Sequence, residues 1–458
     1  MRPFTATRLA ANARGRPARS AMSMRFQVTM VCAALVLGGC AGYRPLPLAR
    51  GPSLLAAADR QAAAPWSVDD VVARVLRDNP DLVALRTQKG VARAQQLQAG
   101  LLPDPAISGA VLPLVAGVGT TMAWNAALSG DLRALVTLRA RREGARAATL
   151  DVDAQVLWQE WQTAAQARLL AVQIIEGEQL AVLQRDNAGL YAERSARLQR
   201  ALAQGDIPLT TAAPDLAAFQ SARAQLDAAE RGQLARRHQL NGLLGREPDA
   251  PLPLAGAPDI PPLDLDAVDR SAAGLALRRP DLIALRLGYR AQEARTRLAV
   301  LMQFPAFNFG ATGGGDNSNV RNAGPQFSTT LPIFDRNRGD IAVQRATRDQ
   351  LHAEYQARLD AAYGQLRAAV SELKASRAAL AAVREDLPAA RRAMERARTA
   401  RDAGVLDEVA YVDLAAAYYA KAEEAATLEE AAAEQSLAIA AITGAGLSSI
   451  ETLPDIAS

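Results

Sequence analysis

The chain has 458 residues, half of them hydrophobic but only 4% aromatic, so alanine carries much of the apolar content. Ala-rich, Arg/Glu-rich sequence at helical period favours close, coiled-coil-like helix packing over a bulky aromatic core. The formal net charge is only +4, much of the basic excess lies in the first 25 residues, and nothing else in the charge pattern argues for a nucleic-acid partner.

At the start, Met24-Arg25 precedes an apolar run over residues 28–37. The run is too short to span a bilayer as a stable helix and fits the core of a secretory signal. Residues 1–39 are therefore read as a removed signal segment, with Met24 as an alternative start. The run ends in Leu37-Gly38-Gly39-Cys40, which resembles a bacterial lipobox, where the cysteine thiol receives a diacylglycerol. An ordinary signal peptide with an incidental cysteine is the bland alternative. Ala41 follows, not Asp, which by analogy with lipoprotein sorting favours the outer membrane. Cys32 lies in the removed segment, so no disulfide framework is expected.

Residues 40–66 read as an extended tether, rich in Pro, Ala and Gly. Ser67 is an expected helix N-cap, with Asp69 and Asp70 in the first turn. A further helix opens at Asn79-Pro80-Asp81 and stops at Pro103 and Pro105. Two alternating stretches follow, with Ile107, Gly109 and Val111 on one face of the first. Met122, Trp124, Ala126 and Leu128 share a face of the second, which makes a hairpin. A long helical segment is expected over residues 131–203, with Gly177 and Gly189 as weak points. The turn Gln204-Gly205-Asp206-Ile207-Pro208 ends it, and a helix returns over residues 212–244. Residues 246–267 form a connector with prolines at 248, 251, 253, 258, 261 and 262, too many for a helix.

Then the programme starts again. Asp81-Leu82-Val83-Ala84-Leu85-Arg86 recurs 200 residues later as Asp281-Leu282-Ile283-Ala284-Leu285-Arg286, and Pro105 matches Pro305 at the same offset. Gly205 matches Gly404 and Gly245 matches Gly444 at an offset of 199. A repeat this long is a duplicated domain, not a solenoid unit. The first copy is assigned to residues 67–245, the second to 268–444, and 445–458 to a tail. In the second copy Phe307, Phe309 and Ala311 alternate on a strand. Gly313-Gly314-Gly315-Asp316-Asn317 is expected to begin a polar loop. Residues 326–334 are expected to return as a strand ending in Leu331-Pro332-Ile333-Phe334-Asp335. Next comes a helix over residues 338–401, with Leu351, Tyr355, Leu359, Ala362, Leu366, Val370 and Leu373 in one stripe. At about 1.5 Å per residue it is roughly 95 Å long, more than a compact globule needs. Pro388 is expected to bend it. It stops at Asp402-Ala403-Gly404, and a helix returns over residues 407–442.

Four strands cannot close a membrane barrel, for which about eight is the practical minimum, and an open edge is not tolerated in lipid. Either the strands stay in water or several chains share one barrel. The ordered ensemble over residues 68–444 resembles the TolC family of outer-membrane efflux proteins. The resemblance rests on the duplication, on Asn79-Pro80-Asp81-Leu82, Leu102-Pro103-Asp104 and Leu331-Pro332-Ile333-Phe334-Asp335. It also rests on Ala403-Gly404-Val405-Leu406-Asp407 leading to Val412-Asp413-Leu414-Ala415. It implies an α+β membrane protein: a homotrimer whose three sets of four strands form a twelve-stranded outer-membrane β-barrel above a tunnel of long antiparallel helices in the periplasm. It also implies a channel, not an enzyme, for small molecules or metal ions, partnered by a periplasmic adaptor and an inner-membrane resistance-nodulation-division pump. A lipid on Cys40, the only covalent group expected, fits the lipid-anchored branch embedded among outer-membrane lipids.

The turns at Gly205 and Gly404 are then expected together at the periplasmic tip, with Asp407 opening the returning helix. Asp413 lies nine residues past Gly404 and Asp215 ten past Gly205. The resemblance implies an acidic residue narrowing the mouth at the Asp413 place; a solvated helix residue or cap is the alternative for both. Pro208 and Pro214 make the Asp215 register depart from the family pattern.

No catalytic or metal constellation stands out. His238 and His352 lack Cys or E-x-x-H partners, and Gly313-Gly314-Gly315 is followed by no Lys-Ser/Thr of a phosphate loop. Asp264-Leu265-Asp266 reads as turn chemistry. Two other functions share much of this pattern: a type I protein-secretion exit channel and a periplasmic coiled-coil lipoprotein without a pore. The passage Gly100-Leu101-Leu102-Pro103-Asp104-Pro105 is similar to heavy-metal efflux members, but the exported substrate and the pump are not legible.

Overall fold

The computed structural model describes residues 44–54 and 65–444, apart from 120, 259, 261 and 262. The signal segment, Cys40 and the 445–458 tail lie outside the described residues. The chain divides into two units at Ser53. In the first, residues 44–53 are exposed and carry no regular structure. All helices and strands described below belong to the second.

Helix α1, Val68–Asp78, starts where Ser67 sets up a capping box. The Ser67 hydroxyl accepts from the Asp70 amide at 3.1 Å, and Asp70 returns the favour by accepting from the Ser67 amide at 3.0 Å. Helix α2, Pro80–Gly100, has proline in its first turn, where no amide hydrogen is needed. The Asn79 side chain accepts from the Leu82 amide and donates to the Leu243 carbonyl, both at 2.9 Å. One side chain thus starts α2 and ties it to the far end of the first repeat.

Strands β1, Ala106–Leu112, and β2, Ala123–Asp131, form the expected hairpin. Helix α3, Arg133–Gln204, runs unbroken for 72 residues, roughly 108 Å at 1.5 Å per residue. It turns at Gly205 into α4, Leu209–Leu243. Two short helices, α5 (Leu265–Ala272) and α6 (Leu275–Arg278), precede α7, Pro280–Leu301. Strands β3, Ala306–Gly315, and β4, Arg321–Thr330, lead to α8, Arg338–Asp402, which turns at Gly404 into α9, Glu408–Thr443. Gly205 and Gly404 have φ of 80° and 71°, and their counterparts Gly245 and Gly444 have 64° and 67°. All four repeat anchors therefore sit in the left-handed region that favours glycine.

The duplication extends to packing. In the first repeat Ala167, Leu170, Ala171 and Ile174 of α3 meet Val71 and Val75 of α1 and Leu240 of α4. In the second, Leu366, Ala369, Val370 and Leu373 of α8 meet Val268 of α5, Leu275 of α6 and Ile439 of α9. The residues on α3, α4, α8 and α9 correspond at the same offset of 199. Each long hairpin is thus clamped, part-way along, by short helices from its own repeat.

Four expectations change. The Gly313-Gly314-Gly315 run belongs to β3, paired with Ala126, Asn125 and Trp124, instead of opening a loop. A side chain at Gly315 would meet the Trp124 indole at 2.8 Å, so glycine is what lets the strand continue there. Strand β4 spans 321–330, not 326–334; Pro332 cannot donate to a ladder, and Leu331 to Asp335 lie beyond the strand. Helix α4 starts at Leu209, three residues early, and carries Pro214 inside it. Helix α5 opens within the connector, because Asp264 accepts from the Asp266 amide at 2.9 Å and caps it. Gly177 and Gly189 do not interrupt α3, and α8 is one helix through Pro388.

The second repeat replaces Asn79 with Arg279, whose guanidinium binds Asp281 at 3.0 and 2.8 Å, with both side chains 6% exposed. The guanidinium also lies 5.1 Å from the Trp158 ring centroid. Removing one member of a buried pair strands the other charge. Arg358 also reaches Asp281 at 3.9 Å and partly compensates it, so Arg279→Ala should cost about 3 kcal/mol, the low end for a broken buried pair, whereas Asn79→Ala should cost only about 1–2 kcal/mol as a lost cap. Denaturant unfolding of the two variants side by side checks this order; equal losses would contradict it.

Candidate functional site

The four strands form one antiparallel sheet in the order β1-β2-β3-β4. The central pair joins the two repeats, with Leu128 opposite Ala311 and Ser129 opposite Gly310. Because side chains alternate along a strand, the register sorts them into two faces. One face carries Ile107, Val111, Trp124, Ala126, Leu128, Phe307, Phe309, Ala311, Pro325 and Phe327, with Arg321 and Thr329 at its two ends on β4. The other carries Ser108, Ala110, Asn125, Ala127, Ser129, Asn308, Thr312, Asn322, Gln326 and Ser328. On the apolar face Ile107 is 83% and Phe327 75% exposed, although a single chain in water has no reason to present them.

Phe309 and Phe327 pack at 5.2 Å near the helical end of the sheet, and Trp124 lies opposite Gly315 at the other end. Phe309 and Gly315 are six positions apart on β3, roughly 20 Å along a strand. That matches the aromatic girdles bounding the apolar band of about 25 Å on outer-membrane barrels. Strands β1 and β4 each have a single neighbour, which leaves two edges open.

The opposite end of the molecule is built from the two glycine turns. At the second, the Gly404 amide donates to Arg401 and the Val405 amide to Ala400, both at 2.9 Å, which ends α8. Asp407 then caps α9 by accepting from the Ala410 amide at 2.7 Å. Tyr411, Val412 and Ala415 are buried against Ala397. Asp413 lies between them in sequence but is exposed, and it makes no hydrogen bond or ion pair among the described residues. Val405 and Val409 are exposed at this tip, and so is Leu209 beside the first turn.

Asp215 is held differently. The Arg194 guanidinium binds it at 2.6 Å, and Arg194 is itself buried. Burial pushes the Tyr191 hydroxyl up from its ordinary value; Asp413 adds to this, Arg194 opposes it and Asp215 adds a little more. The structure thus brings Asp215, Asp413, Tyr191 and Arg194 into one neighbourhood, with Asp215 neutralised inside the chain and Asp413 facing out. Arg197 crosses from α3 to Glu408 on α9 at 3.0 Å, and Arg401 stacks 4.1 Å from the Tyr411 ring centroid. Sequence reading missed Arg194. Its signal was available, since Arg194 and Asp215 lie at nearly equal distances on either side of the Gly205–Asp206 turn.

No group of metal-ligating residues assembles among the described residues. His238 approaches Asp249 at 3.2 Å in an exposed position, and His352 packs edgewise on Tyr289. No described helix is long and apolar enough to cross a membrane.

Residues 273–445 match the outer membrane efflux protein family. No curated protein sequence matches the chain. Solved structures share its fold along most of their length. The outer-membrane channel OprN is 16% identical with a TM-score of 0.67, covering 89% of this chain and 99% of its own. The open-state MtrE outer membrane channel of Neisseria gonorrhoeae is 18% identical with a TM-score of 0.65, covering 84% and 90%. The CmeC outer membrane channel of Campylobacter jejuni is 15% identical with a TM-score of 0.67, covering 91% and 92%. The second half of the chain thus carries an outer membrane efflux protein domain, and the chain along most of its length has the fold of these outer-membrane channels.

Proposed function

We propose that three copies of this chain form the outer-membrane conduit of a tripartite efflux system. The two-faced sheet with open edges is the observation that carries the reading. In lipid every backbone amide and carbonyl needs a partner, so an edge must be closed. Joining β4 of one copy to β1 of the next closes both edges, and three copies of four strands give twelve. The apolar face then meets lipid and the Ser/Asn/Thr/Gln face lines a wet lumen. The long hairpins continue the conduit through the periplasm. Their tips, with exposed Val405, Val409 and Leu209, offer the surface on which a periplasmic adaptor docks, and an inner-membrane pump of the resistance-nodulation-division class supplies the cargo. The chain works as a passage and carries out no chemistry on its substrate.

Native mass spectrometry of detergent-extracted protein should give a trimer, and the same preparation should conduct in planar bilayers. A conducting monomer would sink the reading.

Cys40 anchors the mature chain through a covalent lipid in this account, supported by the lipobox-like Leu37-Gly38-Gly39-Cys40. Mass spectrometry of the mature N-terminal peptide should find Cys40 acylated; an unmodified Cys40, or cleavage elsewhere, would refute the anchor.

Asp413 from three copies converges on the axis at the mouth. Three like charges there set a local potential that favours cations. Asp413→Asn should shift the single-channel reversal potential in a salt gradient toward the non-selective value and leave assembly intact, because the side chain is exposed. An unchanged reversal potential would return Asp413 to the outer surface.

A further inference from the structure

Helices α2 and α3 pack against each other, and the charges between them form a ladder. Farthest from the sheet, Arg86 of α2 binds Glu160 of α3 at 2.6 Å. One turn nearer, Lys89 faces Asp153 at 3.9 Å. Nearer still, the acids give out. Arg93 of α2 stands with Arg142 and Arg146 of α3 around a groove of about 470 Å³, which Leu97, Gly100 and Leu101 also line. All three arginines are exposed, and no carboxylate binds any of them among the described residues. Arg142 donates to the Gly100 carbonyl at 2.9 Å. Glu143, within electrostatic reach of Arg146, is already held by Arg139 at 2.7 Å and reached by Arg297 at 3.6 Å.

The duplication shows that the fold does not require this gathering. At the offset of 200, Glu293 takes the place of Arg93; it accepts from the Tyr289 hydroxyl at 3.0 Å and lies 3.8 Å from Arg348. At the offset of 199, Ile341 takes the place of Arg142. The second repeat thus has an acid with its partners where the first has like charges alone. Like charges held close repel one another, so such a groove favours a ligand that brings negative charge.

Position says what that ligand is. Helical side chains lean toward the N-terminus, which on α3 is the sheet end. The Arg142 guanidinium accordingly reaches the last residue of α2, and Leu97, Leu101 and Leu102 beside it are all exposed. The groove therefore pairs positive charge with apolar surface just below the strands. Arg142, Arg146, Asp153 and Glu160 also lie on one stripe of α3, which continues to Ala167 and Ala171, where α1 packs. A helix added inside a conduit would plug it, so the stripe and its groove face away from the lumen.

We propose that the Arg93–Arg142–Arg146 groove holds the phosphate of an anionic phospholipid from the adjacent, periplasm-facing leaflet, with the acyl chains running past Leu97 and Leu101 toward the apolar face of the sheet. Guanidinium groups suit a phosphate diester because their paired N–H donors match its oxygens. The bound phosphate supplies the counter-charge that the ladder lacks at this level and ties α2 to α3 where they meet the bilayer. The site rests on the reading of the sheet as membrane-inserted.

Full-length protein extracted in detergent, titrated with phosphatidylglycerol or phosphatidylcholine and read by native mass spectrometry, tests it. The wild type should retain phosphatidylglycerol in preference to phosphatidylcholine. Each arginine removed should weaken that preference about fivefold, and the triple variant Arg93→Gln, Arg142→Gln, Arg146→Gln roughly a hundredfold. The control Arg223→Gln, Arg231→Gln, Arg377→Gln takes the same charge from exposed positions on α4 and α8 and should keep the wild-type preference. Should the triple variant not fold, Arg93→Gln alone, which removes no hydrogen bond or ion pair among the described residues, should still show the fivefold step. Equal retention of the two lipids, an unchanged preference in the arginine variants, or displacement of the lipid by inorganic phosphate would overturn the site. So would a triple variant that loses the trimer but keeps the lipid, which would give the groove to a neighbouring copy. Oligomeric state and conductance of the same preparation separate this from the conduit reading: a conducting trimer without the preference overturns the lipid site alone.

Discussion

The constraint on which the rest depends is the unpaired backbone at β1 and β4. In water those edges would be hydrated; in hydrocarbon each unsatisfied amide or carbonyl costs several kcal/mol. A four-stranded sheet that presents Trp124, Phe307, Phe309 and Phe327 on one face and Asn125, Asn308 and Gln326 on the other is unsuited to either place alone. It becomes suited to lipid once the edges of neighbouring copies meet. In the proposed reading, the case for assembly thus starts from one chain's hydrogen-bonding deficit, before any interface is considered.

The helical half follows from the same economy of parts. A conduit needs length without bulk, and alanine-rich helices packed closely supply it. Duplication places two such hairpins side by side, each clamped by its own short helices, with Leu366, Leu373 and Ile439 repeating the packing of Ala167, Ile174 and Leu240. The clamps sit about midway along α3 and α8, so the tips project past the clamped cores. Hairpins held there and less encumbered beyond are suited to a mouth that changes aperture.

Much of this was legible because it rests on local rules. The four glycine anchors, the Ser67 cap and the proline at the start of α2 each have a local physical cause, and each appears where the sequence put it. The misreadings came where tertiary neighbours overrode composition. Gly313-Gly314-Gly315 looks like a loop until Trp124 is set beside it, and only then is glycine what the strand requires. The returning helix is expected from residue 212, yet α4 already opens at Leu209, directly after Pro208. At the tip, Asp215 and Asp413 read alike as acidic residues just past a turn. Only the fold distinguishes them, by placing Arg194 against the first and solvent against the second.

The central claim is that the β4 edge of one copy pairs with the β1 edge of the next. Within a chain these strands are separated by two others, about 14 Å apart at 4.7–4.9 Å per strand, too far for a disulfide. Any disulfide between them must therefore link two copies. A scan of single cysteines on β1 paired with single cysteines on β4, oxidised in the membrane, measures this directly. The account predicts that pairs in one register give a ladder of covalent dimers and trimers. A scan in which no pair links copies, with the protein folded and inserted, would contradict it.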